Sequence, residues 1–340
     1  MDDWLTAALH APAVLVTVAI VEGSVPREPG AKMLVTRAGF AGTIGGGHLE
    51  HRAMELARAM LAKGVEEGGA PRLERFALGP GLGQCCGGIA HLAFERVDRD
   101  QVALLDARRN VDTTRVVAFD AGWALFDGDG TQLAGDLVPP FDRSAGTHVM
   151  RDDFGRAWLV DPILAPRARL MLFGAGHVGA AVVRALAELP CRVTWVDERD
   201  DLFPPVVPAN VTVEATDTPE ALVDAAAPGT SFLVMTHSHA LDLRLSIAIL
   251  SRGIAHPGAG NDWFGLIGSD TKRRQFEHRL RERGIDHARI AAMVCPIGLP
   301  GIAGKAPAVI AASVAAQLLT VWQSAETDAA SPTQVSSEPN

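Results

Sequence analysis

Two adjacent thiols, Cys85 and Cys86, are the residues of this chain best suited to chemistry. They lie in Gly79-Pro-Gly-Leu-Gly-Gln-Cys-Cys-Gly-Gly88. Glycines on both sides give the side chains little cover and let a ligand approach the backbone closely. Neighbouring cysteines seldom bond to each other, because the ring they would close is strained. The pair therefore reads as reactive thiols or as ligands for a soft metal. Gln84 both donates and accepts, which suits the edge of a polar heterocycle. The alternative is a turn that packs two small apolar side chains. Zinc is disfavoured, because no second cysteine pair completes a tetrahedral site.

A second glycine loop, Gly42-Thr-Ile-Gly-Gly-Gly-His-Leu-Glu50, runs into a helical stretch. Gly45, Gly46 and Gly47 ahead of a helix expose several N–H groups in a row, a suitable cradle for a phosphate. Glu50 falls in the first turn, where it caps the helix or bonds a ring amide of a ligand. His48 and His51 share one helical face, as ligand contacts or as surface residues.

A third lies in the second half. Leu170–Phe173 is a short apolar run followed at once by Gly174-Ala-Gly-His-Val-Gly179 and a helical stretch. The next apolar run ends at Asp197. This is G-x-G-x-x-G in its strand–helix context, with an acid about 20 residues on. Gly174 permits the tight turn, Gly176 the approach of a pyrophosphate, and Gly179 close packing of helix on strand. Alternatively, the glycines serve the turn and the packing alone. His177 departs from the plain dehydrogenase pattern and either donates to a ligand or faces solvent. Thr236-His-Ser-His-Ala-Leu-Asp242 follows a further apolar run, so His237 and His239 belong near the glycine loop at the carboxyl ends of the strands. We expect them to contact a ligand, with Asp242 fixing a histidine tautomer; the alternative is a helix-capping loop with solvated histidines. Lys272, Arg273 and Arg274 follow an N-cap at Ser269 and either reach an anion or form a solvated face.

These loops need elements to hold them. Alternating apolar and β-branched runs, hairpin signals and one helix predict an N-terminal mixed α/β domain over 1–133. Pro139, Pro140, Pro162 and Pro166 mark 134–167 as a boundary or linker region. Strand–helix alternation over 168–323 predicts a Rossmann-like domain with a parallel sheet. Residues 324–340, small and polar, read as a disordered tail. The chain has 340 residues and a formal net charge of −9. That acidity argues against a nucleic-acid partner. Four cysteines are too few for a disulfide framework. The N-terminus lacks a basic region, and no apolar run reaches the roughly 18 residues of a membrane span. We expect a cytoplasmic protein with no membrane association. Among oligomers, a symmetric homodimer is the commonest form.

The motifs together resemble the XdhC/CoxI family of xanthine dehydrogenase accessory proteins. The matching segments are Gly23-Ser-Val-Pro-Arg27, Gly30-Ala-Lys-Met33, Gly42–Gly47 with Leu49-Glu50, Gly83–Gly88, Gly174–Gly179, Thr236-His237 with His239 and Asp242, Gly265–Ser269 and Pro296–Leu299. The resemblance implies a non-enzymatic chaperone that binds and protects the molybdenum cofactor, supports its sulfuration and inserts it into xanthine dehydrogenase. It implies as partners the molybdenum subunit of the dehydrogenase, a cysteine desulfurase and the cofactor synthesis proteins. In that frame Cys85 and Cys86 are the metal-facing thiols. Gly45, Gly46, Gly47, Glu50, Gln84, Gly174, Gly176, His177, Gly179, Asp197, His237 and His239 complete the expected cofactor contacts, with the molybdopterin form favoured over a dinucleotide form. The Rossmann-like unit taken alone suggests instead an NAD(P)-dependent oxidoreductase.

Overall fold

The computed structural model describes every residue except 1–3, 6–11, 64–70, 80–86, 98, 121, 256–261 and 331–340. The chain divides into two units, Met1–Ala165 and Pro166–Asn340.

The first unit begins with strands β1 (Ala13–Glu22), β2 (Lys32–Thr36), β3 (Phe40–Gly42), β4 (Arg72–Ala77) and β5 (Ile89–Arg96). They form an antiparallel sheet in the order β3-β2-β1-β5-β4. β1 is buried on both faces, so its sequence is a continuous apolar run rather than an alternation. Val14, Val16 and Val18 pack on helix α1 (Gly47–Ala62), whose stripe Leu49, Ala53, Ala57 and Met60 repeats every three to four residues. Ala13 and Leu15 pack the opposite way, toward α2 (Arg99–Asp106).

A second antiparallel sheet joins β6 (Thr113–Ala118), β7 (Trp123–Asp127), β8 (Gln132–Gly135), β9 (His148–Arg151) and β10 (Ala157–Ile163), in the order β8-β7-β6-β10-β9. Residues 134–167 are therefore no linker. They carry β9 and β10, and β10 pairs with β6 at the middle of the sheet. The prolines that suggested a boundary sit in the connection before β9, at Pro162 near the end of β10, and at Pro166 just after it. The unit boundary falls between Ala165 and Pro166, at the last of them.

Charged residues lie between the two sheets. Lys32 Nζ bonds Asp161 Oδ1 at 2.8 Å and Gly30 O at 2.9 Å. Thr147 Oγ1 donates to the same Asp161 oxygen at 3.1 Å. Arg115 pairs with Glu95 and approaches Asp161 Oδ2 at 3.9 Å. Asp161 is fully buried, so its charge is tolerable only with these partners.

In the second unit, β11 (Ala168–Phe173), β12 (Cys191–Asp197), β13 (Val211–Ala215), β14 (Thr230–Val234) and β15 (Phe264–Leu266) form a parallel sheet in the order β13-β12-β11-β14-β15. Its helices are α3 (His177–Leu186), α4 (Pro219–Ala225), α5 (His239–Ala255), α6 (Asp270–Glu282), α7 (His287–Ala292) and α8 (Pro307–Ala330). Leu170 and Leu172 of β11 face the core that α3 and α8 close, while Met171 and Phe173 face α5 and α6. This is the expected Rossmann unit, with its switch point between β11 and β14.

α8 runs beyond the expected end of the domain at 323, as far as Ala330. Contrary to expectation, its stretch Pro307–Ala325 is long and apolar enough to span a membrane by length and composition. It lays Ala311, Val314, Leu318 and Trp322 into the core instead, and the Trp322 indole donates to Ser231 Oγ at 3.0 Å.

Two substitutions test these cores. A Cβ at Gly179 would lie 2.0 Å from Gly174 O, a clash with backbone that no rotamer relieves. Gly179→Ala is expected to destabilise the second unit by about 1–3 kcal/mol or more, read as a lower midpoint in urea. Asp161→Ala strands Lys32 in the first unit and is expected to cost about 3–5 kcal/mol, measured by the same titration.

Candidate functional site

Antiparallel pairing brings three loops to one end of the first sheet. β1 and β4 leave at that end, β2 and β5 enter there, and β3 leaves beside β2. The loops then touch. A Cβ on Gly45 would lie 2.4 Å from Pro26 Cγ, so Gly45, at φ 126°, seats the third-strand loop on the loop after β1. Gly88 N donates to Ser24 O at 3.0 Å, and Leu78 N donates to Gly88 O at 2.8 Å. A Cβ on Gly88 would meet Ser24 O and Glu22 O at 2.5 and 2.6 Å. The thiol loop thus leaves and re-enters the sheet through a clamped stem. Gln84, Cys85 and Cys86 themselves lie outside the described residues.

The glycine cradle differs from the expectation. Gly45, Gly46 and Gly47 take φ of 126°, 77° and 63°, a left-handed path that glycine alone adopts readily. The N–H groups of Ile44, Gly45 and Gly46 converge at 2.9, 3.2 and 2.8 Å, but on Glu50 Oε1. Thr43 Oγ1 also donates to that oxygen. The cradle is filled by the chain's own carboxylate, so Glu50 acts as the cap and Gly45 and Gly46 do not offer these groups to a phosphate. Burial pushes the Glu50 carboxyl up, but the bonds from Thr43, Gly46, Ile44 and Gly45 outweigh it and hold it below the usual carboxylate range. His48 and His51 are exposed, and His51 approaches Glu55 at 3.5 Å.

The second unit places its expected residues together at the carboxyl edge of the sheet. Gly174 packs on the end of β14, where a Cβ would lie 2.4 Å from Met235 O. Gly176 is open, with nothing within 4 Å of a built Cβ, and no side chain caps α3. His177, His237 and His239 are exposed there. Asp242 does not orient either histidine. It is fully buried, accepts from Thr236 Oγ1 at 2.7 Å and pairs with Lys272 Nζ at 2.6 Å. Ser269 caps α6 as expected, but Lys272 is committed to this interior bond rather than to a ligand.

Asp197 is also committed. Its Oδ2 accepts from Ala175 N at 2.7 Å and Arg199 Nη2 at 3.0 Å, and its Oδ1 from Arg199 Nε at 2.9 Å. Burial raises its pKa, and Arg199 with Ala175 N–H more than reverses this. A ribose hydroxyl would have to displace Arg199. The crevice between Gly174, Asp197 and His237 holds only about 10 Å³, room for one water.

Sequence reasoning assigned no role to a cleft of about 360 Å³ in the first unit. Trp4, Arg27, Glu28, Lys32, Thr147 and Leu164 line it, with Gly30 and Gly146 as gaps in the wall. Arg27 and Lys32 both lie in segments that carry the family resemblance, which was the available signal. Among the described residues no group of three or more His, Cys, Asp or Glu side chains is arranged to hold a metal.

The fold and its clustered loops define a two-unit protein that pairs a β-rich, glycine-looped unit with a Rossmann unit. Residues 170–318 match the XdhC Rossmann domain, and residues 7–76 match the XdhC and CoxI family. The chain belongs to the XdhC and CoxI family. The thiol loop falls between the two matched spans. The chain is 32% identical over 162 residues to the uncharacterized protein YqeB of Escherichia coli K12, covering 47% of this chain and 28% of that protein's length. A Bacillus halodurans crystal structure described as a xanthine dehydrogenase is similar in fold, with a TM-score of 0.70, 21% identity and 97% of each chain covered. A Rossmann-fold NAD(P)-binding family protein from Shigella flexneri aligns over 35% of this chain and 63% of its own, at 16% identity and a TM-score of 0.28.

Glu50 gives the sharpest test of the first-unit loops. Because its folded carboxyl ionises below its unfolded value, its contribution is complete at neutral pH and is lost as pH falls through the lowered value. Glu50→Gln is expected to cost about 1–3 kcal/mol at pH 7, with the gap to the parent protein narrowing in acid. Urea titrations at both pH values read this directly.

Proposed function

We propose that the protein is an accessory factor that binds the molybdenum cofactor, protects it, supports its sulfuration and delivers it to a xanthine-dehydrogenase-type enzyme. The observation that carries this reading is the convergence at one end of the first sheet. The family segments at 23–27, 30–33 and 42–47 and the stem of the thiol loop meet there, beside an open cleft. Family membership supports the coarse role of a xanthine dehydrogenase maturation factor.

The residues suit the group. The thiolates of Cys85 and Cys86 are soft donors of the kind molybdenum accepts. The cleft is at the lower end of the roughly 300–1,000 Å³ typical of ligand sites, which favours the plain molybdopterin form over one extended by a nucleotide. The cofactor, once delivered, supplies the oxo- and sulfido-molybdenum centre of the recipient enzyme. The carrier's own residues need only bind, orient and shield it. Gly87 and Gly88 keep the loop's return path free of side chains, and the Ser24–Gly88 bond fixes its stem. The recipient's molybdenum subunit, a cysteine desulfurase and the cofactor synthesis proteins are the partners this role requires. The oxidoreductase alternative is weaker, because Arg199 occupies the acid that would hold a ribose and the switch-point crevice is almost closed.

The test is retention. The purified protein should carry pterin that fluoresces after oxidation, and it should activate a cofactor-free dehydrogenase. Cys85→Ala and Cys86→Ala should each lower retention and activation at least tenfold without changing the unfolding midpoint. If both variants retain and deliver cofactor like the parent, the thiols have no part in the role.

A further inference from the structure

We propose that the first-unit cleft is a phosphate site for an organic phosphate ligand, with Arg27 as its anchoring cation. This rests on the carrier reading for the ligand's identity, but not for the site. Three observations lead to it.

The first is that the glycine cradle expected to hold an anion in the first unit is taken. Glu50 Oε1 accepts from all four donors of that cradle. A phosphate bound in the first unit must find its donors elsewhere.

The second is the state of the cations around the cleft. Lys32 is bonded to Asp161 and Gly30, and Arg115 behind it to Glu95. Arg27 is half-buried, and among the described residues its guanidinium has no hydrogen bond and no ion pair. A partly buried guanidinium is the side chain best matched to phosphate, because its forked N–H groups bond two oxygens at once. Lys32 uses two of its three ammonium hydrogens, so one remains for a second oxygen.

The third is shape. Trp4, nearly all of it buried in the core, and the exposed Leu164 line the cleft together with Gly30 and Gly146. Gly30 takes φ 95°, and a Cβ there would meet Thr147 Oγ1 at 2.9 Å. The exposed Leu164 beside two cationic donors fits an organic ligand that bears a phosphate. Arg27 also lies beside Gly45, its Cγ 3.6 Å from a built Cβ there. The cleft therefore opens next to the loops that carry the thiol stem. One rim group opposes an anion: the carboxylate of Glu28, which is exposed. Its removal should act with the opposite sign to removal of Arg27.

The experiment uses the full chain and two probes. The fluorescent oxidised derivative of molybdopterin is titrated before and after phosphatase treatment, and inorganic phosphate is titrated by phosphorus NMR line broadening. The parent protein should bind the phosphorylated pterin more tightly than the dephosphorylated one and should broaden the phosphate signal. Arg27→Ala should weaken the phosphorylated pterin on the order of ten- to a hundredfold, leave the dephosphorylated form unchanged and abolish the broadening. Arg27→Lys should fall between, and Glu28→Gln should tighten phosphate. These two variants carry the test if Arg27→Ala proves unstable.

If the parent broadens phosphate through Arg27 yet binds no pterin, the cleft stands and the carrier reading falls. If the parent binds phosphorylated pterin and Arg27→Ala binds it equally well, the cleft proposal falls and the carrier reading stands. Binding of neither probe by the parent overturns both.

Discussion

The bond between Lys32 and Asp161 is the constraint on which the first unit turns. It joins β2 of one sheet to β10 of the other, two strands far apart in sequence. The same ammonium holds Gly30 O, and the same carboxylate holds Thr147 Oγ1. One buried ion pair thus fixes both lips of the cleft. Taking these charges out of water is costly, and the pair is retained because each member also satisfies a neighbour. An apolar pair of equal volume would pack the sheets together, but it would not position Gly30 and Thr147.

The two units resolve a shared problem in the same way. Each has a glycine loop ahead of a helix, which concentrates unpaired N–H groups. In the first unit Glu50 turns back from the helix to receive them. In the second, Asp197 reaches over from the next strand to take Ala175 N, and Arg199 then balances its charge. What remains open in the second unit is the first turn of α3 beyond Gly176. Glycine loops of similar sequence therefore differ in how much of their donor capacity is left for a guest.

Periodicity and punctuation in the sequence show most of the architecture. The apolar run of β1, the hairpin of β2 and β3, the stripe of α1 and the strands β11, β12, β14 and β15 of the second unit are local signals, and each is where the pattern places it, whereas β13 and α4 carry no such signal. The second sheet is less visible. Pro162 within β10 and the proline pair before β9 read as breaks, because the pairing that tolerates them is formed by β6, more than 40 residues earlier. The same distance hides the partners of charged residues. Nothing near Asp242 in sequence points to Lys272, and nothing near Lys32 points to Asp161. Glu50 is the instructive case. Its position in the first turn allowed two roles, and only the backbone path through Gly45 and Gly46 decides between them.

That path has a kinetic and thermodynamic meaning for any free anion. Glu50 is tethered within one turn of the donors it occupies, so it competes at an effective concentration on the order of millimolar or more. Dissolved phosphate, sulfate or nucleotide at ordinary cellular levels meets a competitor that never diffuses away. A loop rich in donors is thereby kept from acting as an indiscriminate sink for the anions that surround it.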